Sequence, residues 1–477
     1  MNADFYLPGN NQRMIGLLSQ PKRDYVLFHL GHHVQINAAI REKFSFVSHT
    51  DEIKGLSDRI VFLSSDQGLV PDQIKYIDNL PVLFPVSSRN DFFYQDEANN
   101  IVFGHDILKS IFYLLSGYQE YANASSRDAL NRFAFEDSIQ KKLSCIQKPL
   151  VNYYFEKMVE GIQLFCSNQN ITFSRKKVFE NFGFMLSHDI DFVDTYTANY
   201  FIFKIKEVLQ IRKSRLSFST NLILGLKGML KYFNVLKKDN PYWNFDFLRS
   251  LERSNNFRST FFFLDKGVLH SDAYYSFDEK RMTELFLYLQ SEGCEIGLHG
   301  TVQSIDNAAK LKSSFDKLTE ASKVSVVGIR QHRLLWNHPG TAIIQKSIGL
   351  QYDTTLGFAA HEGFRNSYCG PFKLYDFTND KMLDYWEFPL NVMDVTLFAY
   401  QNYSPAVALE KCIQIMGEVR KFNGLFTLLW HNSFFDEDTY PGVTDFYKNV
   451  LAAIAKQQPE NVLGSELLFR LNELNNA

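Results

Sequence analysis

Cysteine is scarce in this sequence, and its placement follows no functional pattern. Only five cysteines occur in 477 residues, an odd number, and none belongs to a CxxC pair. Scattered cysteines of this kind do not indicate a disulfide framework. We therefore expect reduced, mostly buried thiols in a cytoplasmic protein. The five are Cys145, Cys166, Cys294, Cys369 and Cys412.

An excess of one charge and a long apolar run are also missing. The formal net charge is −3, which argues against a general binder of nucleic acid or other polyanions. No run of about twenty apolar residues is present to span a bilayer. The segment 1–18 has no apolar core of the kind that a signal peptide contains. We expect a soluble protein with no nucleic-acid partner and no transmembrane segment.

Apolar residues, by contrast, are plentiful enough for more than one core. They make up 45% of the chain, and aromatic residues make up 15%. A chain of this length accommodates two or three domains. We predict a small α/β domain over 1–150, with strands near 25–28, 59–63 and 81–85 and a helix capped by Asp106. A helical linker over 151–180 then leads to a larger domain over 181–477.

The larger domain alternates apolar runs of strand length with segments of helical periodicity. Such runs occur at 182–186, 259–264, 294–298, 324–329 and 425–430. Strands that alternate with helices pair in parallel through right-handed crossovers. The fold class is therefore α/β, and we expect a distorted, TIM-like (β/α) barrel.

An insertion at about 194–243 interrupts this alternation of strands and helices after the first strand of the barrel. Basic residues, among them Lys204 and Lys206, alternate there with apolar residues such as Ile205 and Leu209. This pattern is typical of a surface helix whose apolar face covers the barrel, and we favour that interpretation. The alternative is peripheral contact with a membrane surface.

Polar and ionisable residues recur just past the carboxyl ends of the predicted strands. In a parallel barrel those ends share one face, where catalytic groups lie. A carboxylate with imidazoles suits a divalent transition metal such as zinc. A second carboxylate can activate a water molecule, and a more distant histidine can protonate a leaving group. The residues are Asp189, Asp191, His299, Arg330, His332, Asp353 and His431.

The order of five short segments resembles the polysaccharide deacetylases, the NodB-homology carbohydrate esterases of family 4. The segments are 187–191 (SHDID), 295–301 (EIGLHGT), 328–332 (GIRQH), 352–356 (YDTTL) and 428–431 (LLWH). The resemblance covers about 181–477. In addition, 106–121 resembles the N-terminal region of a bacterial subgroup that has an extra α/β domain.

This resemblance implies a role for each matching residue. Asp189 is the implied catalytic base, Asp191 and His299 are implied metal ligands, and Arg330 orients the base. His431 is the implied general acid. The implied reaction is metal-dependent removal of an acetyl group, N-acetyl before O-acetyl, from a carbohydrate or a surface polysaccharide precursor.

Two positions depart from the family pattern and leave the third metal ligand open. Gln303 stands where the second motif has a further histidine, and His332 stands where the third motif has proline. Either His332 replaces the missing ligand, or Gln303 binds the metal through its carbonyl oxygen, or metal binding is weak. An amide oxygen is a poor zinc ligand.

The residues that contact the substrate and the exact reaction each have more than one interpretation. Aromatic side chains and one carboxylate near the strand ends are candidates for sugar binding, although we favour core packing for each of the aromatic ones. Two other functions compete with deacetylation, namely hydrolysis of a non-sugar amide and non-catalytic carbohydrate binding during glycan assembly. The candidate sugar-binding residues are Trp336, Tyr352, Asp353 and Trp430.

Overall fold

A computed structural model describes residues 15–209, 211, 217–233, 235–236, 240–267 and 272–476. A first group of short strands precedes the main sheet. It consists of β1 (Phe44–Val47), β2 (Ile60–Leu63), β3 (Lys75–Ile77), β4 (Leu80–Val82), β5 (Phe93–Gln95) and β6 (Ile101–Phe103). The main sheet consists of β7 (Gly183–Ile190), β8 (Ser259–Leu264), β9 (Glu295–Gly300), β10 (Gly328–Gln331), β11 (Tyr352–Asp353), β12 (Phe372–Asp376), β13 (Lys381–Glu387), β14 (Val392–Met393), β15 (Leu425–Leu429) and β16 (Glu460–Asn461).

The helices lie between and beside these strands. Six precede the main sheet: α1 (Gln20–Leu30), α2 (Ala38–Arg41), α3 (Ile107–Leu115), α4 (Tyr118–Ala122), α5 (Ile139–Lys142) and α6 (Leu150–Asn168). The others are α7 (Ala198–Val208), α8 (Phe218–Tyr232), α9 (Phe245–Arg253), α10 (Lys280–Ser291), α11 (Ala308–Ser322), α12 (Gly340–Ser347), α13 (Pro405–Lys421), α14 (Val443–Ala455) and α15 (Gly464–Asn476).

The main sheet is parallel over most of its width. Its order is β12-β13-β11-β10-β9-β8-β7-β15-β14, with β16 also paired to β7. Only β12 runs antiparallel, as the hairpin partner of β13. The α/β prediction is confirmed, and the carboxyl ends of β7, β9, β10 and β15 lie at one edge of the sheet because these strands are parallel.

The sheet curls without closing into a complete barrel. A side chain of β7 touches one of β10 although two strands lie between them, which requires curvature, since neighbouring strands are about 4.8 Å apart. Among the described residues, no backbone pairing joins β12 to β14 at the two ends of the path. The predicted TIM-like closure is therefore not confirmed, and a curled half-barrel takes its place. The antiparallel hairpin occupies the edge at which closure would occur.

The N-terminal region forms a four-stranded sheet in the order β1-β2-β6-β5. The predicted strand at 59–63 is confirmed as β2, and the predicted helix after Asp106 is confirmed as α3, whose Lys109 amide donates to Asp106 Oδ1 at 2.9 Å. The predicted strand at 25–28 is wrong, because these residues lie inside α1. Pro21 lies in the first turn of that helix, and Tyr25, Val26 and Leu30 are buried on one side of it.

The N-terminal region and the main sheet share one hydrophobic core. A continuous cluster of buried side chains extends from Ile15 to Ile454 and includes one side of α6. Across it, Tyr25 Oη donates to the Lys373 carbonyl at 2.9 Å. The boundaries near 150 and 180 are therefore not marked by a break in packing and stay a prediction. None of the described helices combines the length and the apolar character needed to cross a bilayer.

The insertion after β7 folds into α7 and α8. The expectation that its apolar side chains cover the sheet is wrong, because Ile205 and Leu209 expose 40% and 61% of their surface. Lys204, by contrast, is buried and pairs with Glu207 at 2.9 Å. The same insertion contains Arg212, Lys213 and Arg215, which lie outside the described residues.

Candidate active site

Three potential metal ligands converge beyond the carboxyl ends of β7, β9 and β10. One ligand atom from each of Asp191, His299 and His332 lies within 4.8 Å of the others. His299 Nε2 is 3.3 Å from Asp191 Oδ1, and His332 Nε2 is 3.8 Å from Asp191 Oδ2. One carboxylate and two imidazoles form a donor set that zinc accepts.

Hydrogen bonding around the cluster leaves the ligand atoms available. The Nδ1–H of His299 donates to the Arg330 carbonyl at 2.9 Å, so the Nε2 lone pair points towards Asp191. Asp191 Oδ1 is buried and accepts no hydrogen bond from the described residues. A buried carboxylate oxygen without a donor is costly unless a cation neutralises it. These residues therefore fit a divalent metal.

Asp189 forms a buried ion pair beside this cluster. Its Oδ1 accepts a hydrogen bond from Arg330 Nη1 at 2.8 Å, and its Oδ2 is 3.6 Å from His299 Nε2. Burial raises the pKa of Asp189, but the charge of the neighbouring Arg330 guanidinium makes the largest opposing contribution, and the pKa lies below its ordinary value. Asp189 is therefore an ionised carboxylate, and its Oδ2 is not the oxygen that accepts the hydrogen bond from Arg330 Nη1.

Arg330 is fixed by more than its ion pair. Its Nε donates to the Thr354 carbonyl at 2.9 Å, and its Nη2 donates to Thr354 Oγ1 at 3.1 Å. The Phe262 ring lies 4.7 Å from the guanidinium carbon. Because the guanidinium is fully buried, it can hold Asp189 in a single orientation.

His431 is paired with a carboxylate that the sequence analysis missed. The Nδ1–H of His431 donates to Asp394 Oδ1 at 2.8 Å, and its backbone N–H donates to Asp394 Oδ2 at 2.5 Å. Burial lowers the pKa of His431, but Asp394 outweighs it and the pKa rises to about 10. Asp394 directly follows β14, yet a strand of two residues leaves no apolar run by which to recognise it.

Asp189, His431 and the three potential ligands line one cavity of about 170 Å³. His431 Nε2 lies 3.9 Å from Asp191 Oδ2, so the histidine and the metal cluster face each other. The lining also includes the apolar side chains Leu334 and Met393. The rim includes Arg132 from the N-terminal region, whose Nη2 donates to Tyr400 Oη at 3.2 Å.

Gln303 does not lie among the groups that line this cavity. It sits in a half-buried turn after β9, where its Oε1 accepts a hydrogen bond from Lys310 Nζ at 2.5 Å. That lysine occupies the oxygen through which Gln303 would bind a metal. Of the two alternatives for the third ligand, the structure brings His332, and not Gln303, to the cluster.

The residues predicted to bind sugar lie in the interior. Tyr352 Oη donates to Glu295 Oε1 at 3.0 Å, and Asp353 Oδ2 accepts from Gln345 Nε2 at 2.7 Å. None of the four lines the cavity, because each is enclosed by the packing of the sheet with its helices. This placement corrects the prediction of a sugar-facing role and agrees with core packing. The four are Trp336, Tyr352, Asp353 and Trp430.

Comparison with known proteins gives one family match and several solved structures with low sequence identity. Residues 18–166 match a family of unknown function, DUF7033. No curated protein matches the chain. Among solved structures, one from Mycobacterium smegmatis assigned as a polysaccharide deacetylase is 17% identical, with a TM-score of 0.40 over 61% of this chain and 91% of that one.

Two further solved structures have lower sequence identity to this chain. Peptidoglycan deacetylase PdaC from Bacillus subtilis is 12% identical, with a TM-score of 0.29 over 62% of this chain and 93% of that one. A pseudoenzyme of family CE4 from Bacillus anthracis is 11% identical, with a TM-score of 0.29 over 61% of this chain and 66% of that one.

Proposed function

We propose that this protein is a metal-dependent hydrolase that removes an acetyl group, N-acetyl before O-acetyl, from a carbohydrate. The observation that supports the proposal is the arrangement around the cavity: a three-ligand cluster stands between the buried Asp189 carboxylate and the His431–Asp394 pair. The motif resemblance described above supports the same chemistry. We also propose a cytoplasmic location, because all five cysteines are unpaired and buried.

The metal ligands in this proposal are Asp191, His299 and His332. A divalent ion such as zinc at that position supplies Lewis acidity, which lowers the pKa of water and polarises an acetyl carbonyl. Three protein ligands leave one position open for such chemistry.

Asp189 is the proposed general base. As an ionised carboxylate it can accept the proton of the attacking water, while Arg330 keeps the carboxylate in place through Oδ1. The remaining oxygen, Oδ2, lies on the side of His299 and therefore faces the ligand cluster.

His431 is the proposed general acid. Asp394 fixes the Nδ1–H tautomer and stabilises the imidazolium, so that Nε2 carries the proton that a departing amine requires. Leu334 and Met393 form an apolar wall that suits the methyl group of the acetyl moiety. An amide needs leaving-group protonation more than an ester does, and this favours the N-acetyl substrate.

Acetate release from N-acetylated oligosaccharides, compared with acetylated non-sugar amides, tests this proposal. The full chain is loaded with zinc and compared with Asp189→Asn, which cannot accept a proton. We expect the variant to lose at least about 10²-fold in turnover while it keeps its metal. Retained turnover in Asp189→Asn would exclude Asp189 as the base. A metal-free wild type, or one that releases acetate only from non-sugar amides, would favour the alternatives.

A further inference from the structure

The helical hairpin formed by α7 and α8 has an apolar outer face. The two helices pack against each other after the carboxyl end of β7. Six aliphatic side chains, which we call the hairpin surface, expose between 40% and 63% of their area. They recur at the spacing of one helix face. They are Ile202, Ile205, Leu209, Leu222, Ile223 and Leu226.

The amphipathicity of α8 is reversed relative to that of an ordinary surface helix. Its buried residues are Asn221, Leu224, Gly228 and Lys231, and only Leu224 among these four is apolar and large. Lys231 Nζ donates to Tyr196 Oη at 2.9 Å, and a Cβ at Gly228 would lie 2.6 Å from the Tyr200 ring. Apart from Leu224, polar and small residues thus face the protein, and most apolar side chains of the helix face outward. A helix normally buries its apolar side, so this face, which none of the described residues covers, needs an apolar environment.

The charge of the same segment indicates the nature of that environment. Residues 198–238 contain nine lysines and arginines and a single acidic residue, Glu207, whereas the whole chain has a net charge of −3. Among the described residues, Lys206 is exposed on α7 beside the hairpin surface. Apolar side chains together with basic residues are typical of helices that lie in the interface of an anionic bilayer.

We propose that the hairpin surface docks onto a bilayer of anionic phospholipids. A second copy of the chain fits this face less well, because a two-fold interface places the same segment on both sides, cation against cation. An anionic leaflet is complementary instead, and each basic residue near it strengthens binding by about fivefold. The apolar side chains enter the headgroup boundary without crossing the membrane.

The hairpin is connected to two segments that carry residues of the cavity. Helix α7 begins seven residues after Asp191, and Lys227 on α8 forms an ion pair with Asp438, seven residues after His431. Docking therefore holds the segments that follow Asp191 and His431 close to the membrane. The docking itself does not depend on the proposed hydrolysis, and its test does not measure turnover.

Vesicle flotation of the full chain tests the proposal. We expect binding to vesicles of phosphatidylcholine with phosphatidylglycerol, weaker binding at high salt, and little binding to phosphatidylcholine alone. Ile223→Asp should lower the partition coefficient by at least about tenfold. Leu287→Asp on α10 is the matched control, because both side chains are 63% exposed, and it should leave binding unchanged.

Several results would overturn the proposal. These are the absence of flotation with anionic vesicles, equal binding to neutral vesicles, and an equal loss in Leu287→Asp. Sedimentation analysis adds another: a dimer that Ile223→Asp converts to a monomer would identify a second copy as the occupant. Both sites are solvent-exposed, so we expect each variant to keep the unfolding temperature of the wild type. An unchanged unfolding temperature shows that a loss of binding is not a loss of folding.

Discussion

At the residue scale, the position of His332 depends on an unusual backbone turn. Arg333 and Leu334, which follow it, both have positive φ angles, 62° and 56°. Each non-glycine residue in this left-handed region costs about 1–2 kcal/mol. The turn directs His332 towards Asp191 and His299 at the end of a short strand. Strained backbone of this kind clusters at functional sites.

The first prediction compares the two candidates for the third ligand. His332→Ala should lose most of the bound metal, because it removes one of three ligands, whereas Gln303→Ala should lose little. Metal analysis after dialysis measures the difference, and acetate release should follow it. A larger loss of metal in Gln303→Ala than in His332→Ala would contradict this assignment.

The second prediction concerns the pair formed by His431 and Asp394. His431→Ala should lower kcat by about 10²–10⁴-fold with a smaller change in KM, because a general acid acts mainly in the transition state. Asp394→Asn should lower kcat in the same direction, since an amide no longer stabilises the imidazolium. Metal content should remain near that of the wild type in both. A change confined to KM would make His431 a binding residue instead.

At the element scale, a buried polar network fixes α9 against the strands that contain the site. Glu252 accepts hydrogen bonds from Ser259 Oγ at 2.7 Å and Tyr447 Oη at 3.0 Å, and it lies 2.6 Å from His188 Nε2. Burial raises the pKa of Glu252, but His188 and Arg249 outweigh it, and the pKa lies below its ordinary value. One carboxylate thus joins α9 to β7, β8 and α14.

The third prediction follows from this network. Glu252→Ala should lower the free energy of unfolding by about 3–5 kcal/mol, because it leaves the buried charge of Arg249 with only the more distant Glu292 carboxylate, 3.8 Å away. Denaturant unfolding measures the change. Glu284→Ala on α10 is the control, since that side chain is 63% exposed and should change stability by less than about 0.5 kcal/mol. Equal effects of the two substitutions would show that the network does not stabilise the fold.

At the scale of the whole molecule, the N-terminal region is joined to the main sheet by polar as well as apolar contacts. Arg365 donates to both oxygens of Glu120, at 2.8 and 2.6 Å, and Gln140 Nε2 donates to the Arg365 carbonyl at 2.7 Å. These side chains are buried, so separation would expose charged as well as apolar surface. Arg132 also reaches the rim of the cavity from this region.

The fourth prediction is that the isolated segment 181–477 aggregates when it is expressed without the N-terminal region. Removing 1–180 uncovers the part of the core that contacts α1, α3 and α6. Soluble yield and size-exclusion chromatography, with the full chain as the control, measure the outcome. A monomeric, cooperatively unfolding fragment would show that the main sheet is stable alone.

Local patterns in the sequence were sufficient for much of this description. The alternation of strands and helices predicts the parallel sheet, because a buried strand is a short apolar run whatever surrounds it. The same rule locates Asp189, Asp191, His299, Arg330 and His431 at one edge, and the structure brings these five residues together. The cap at Asp106 is equally local, since one side chain and one turn define it.

Tertiary structure decided the features that depend on residues far apart in the chain. Whether the sheet closes depends on the packing of its edge strands, and the choice between His332 and Gln303 depends on the direction of two turns. Asp394 is recognisable only once His431, 37 residues later, lies beside it. Periodicity shows that α8 has an apolar face, but only its packing against α7 shows that this face points away from the protein, because the same pattern fits either orientation.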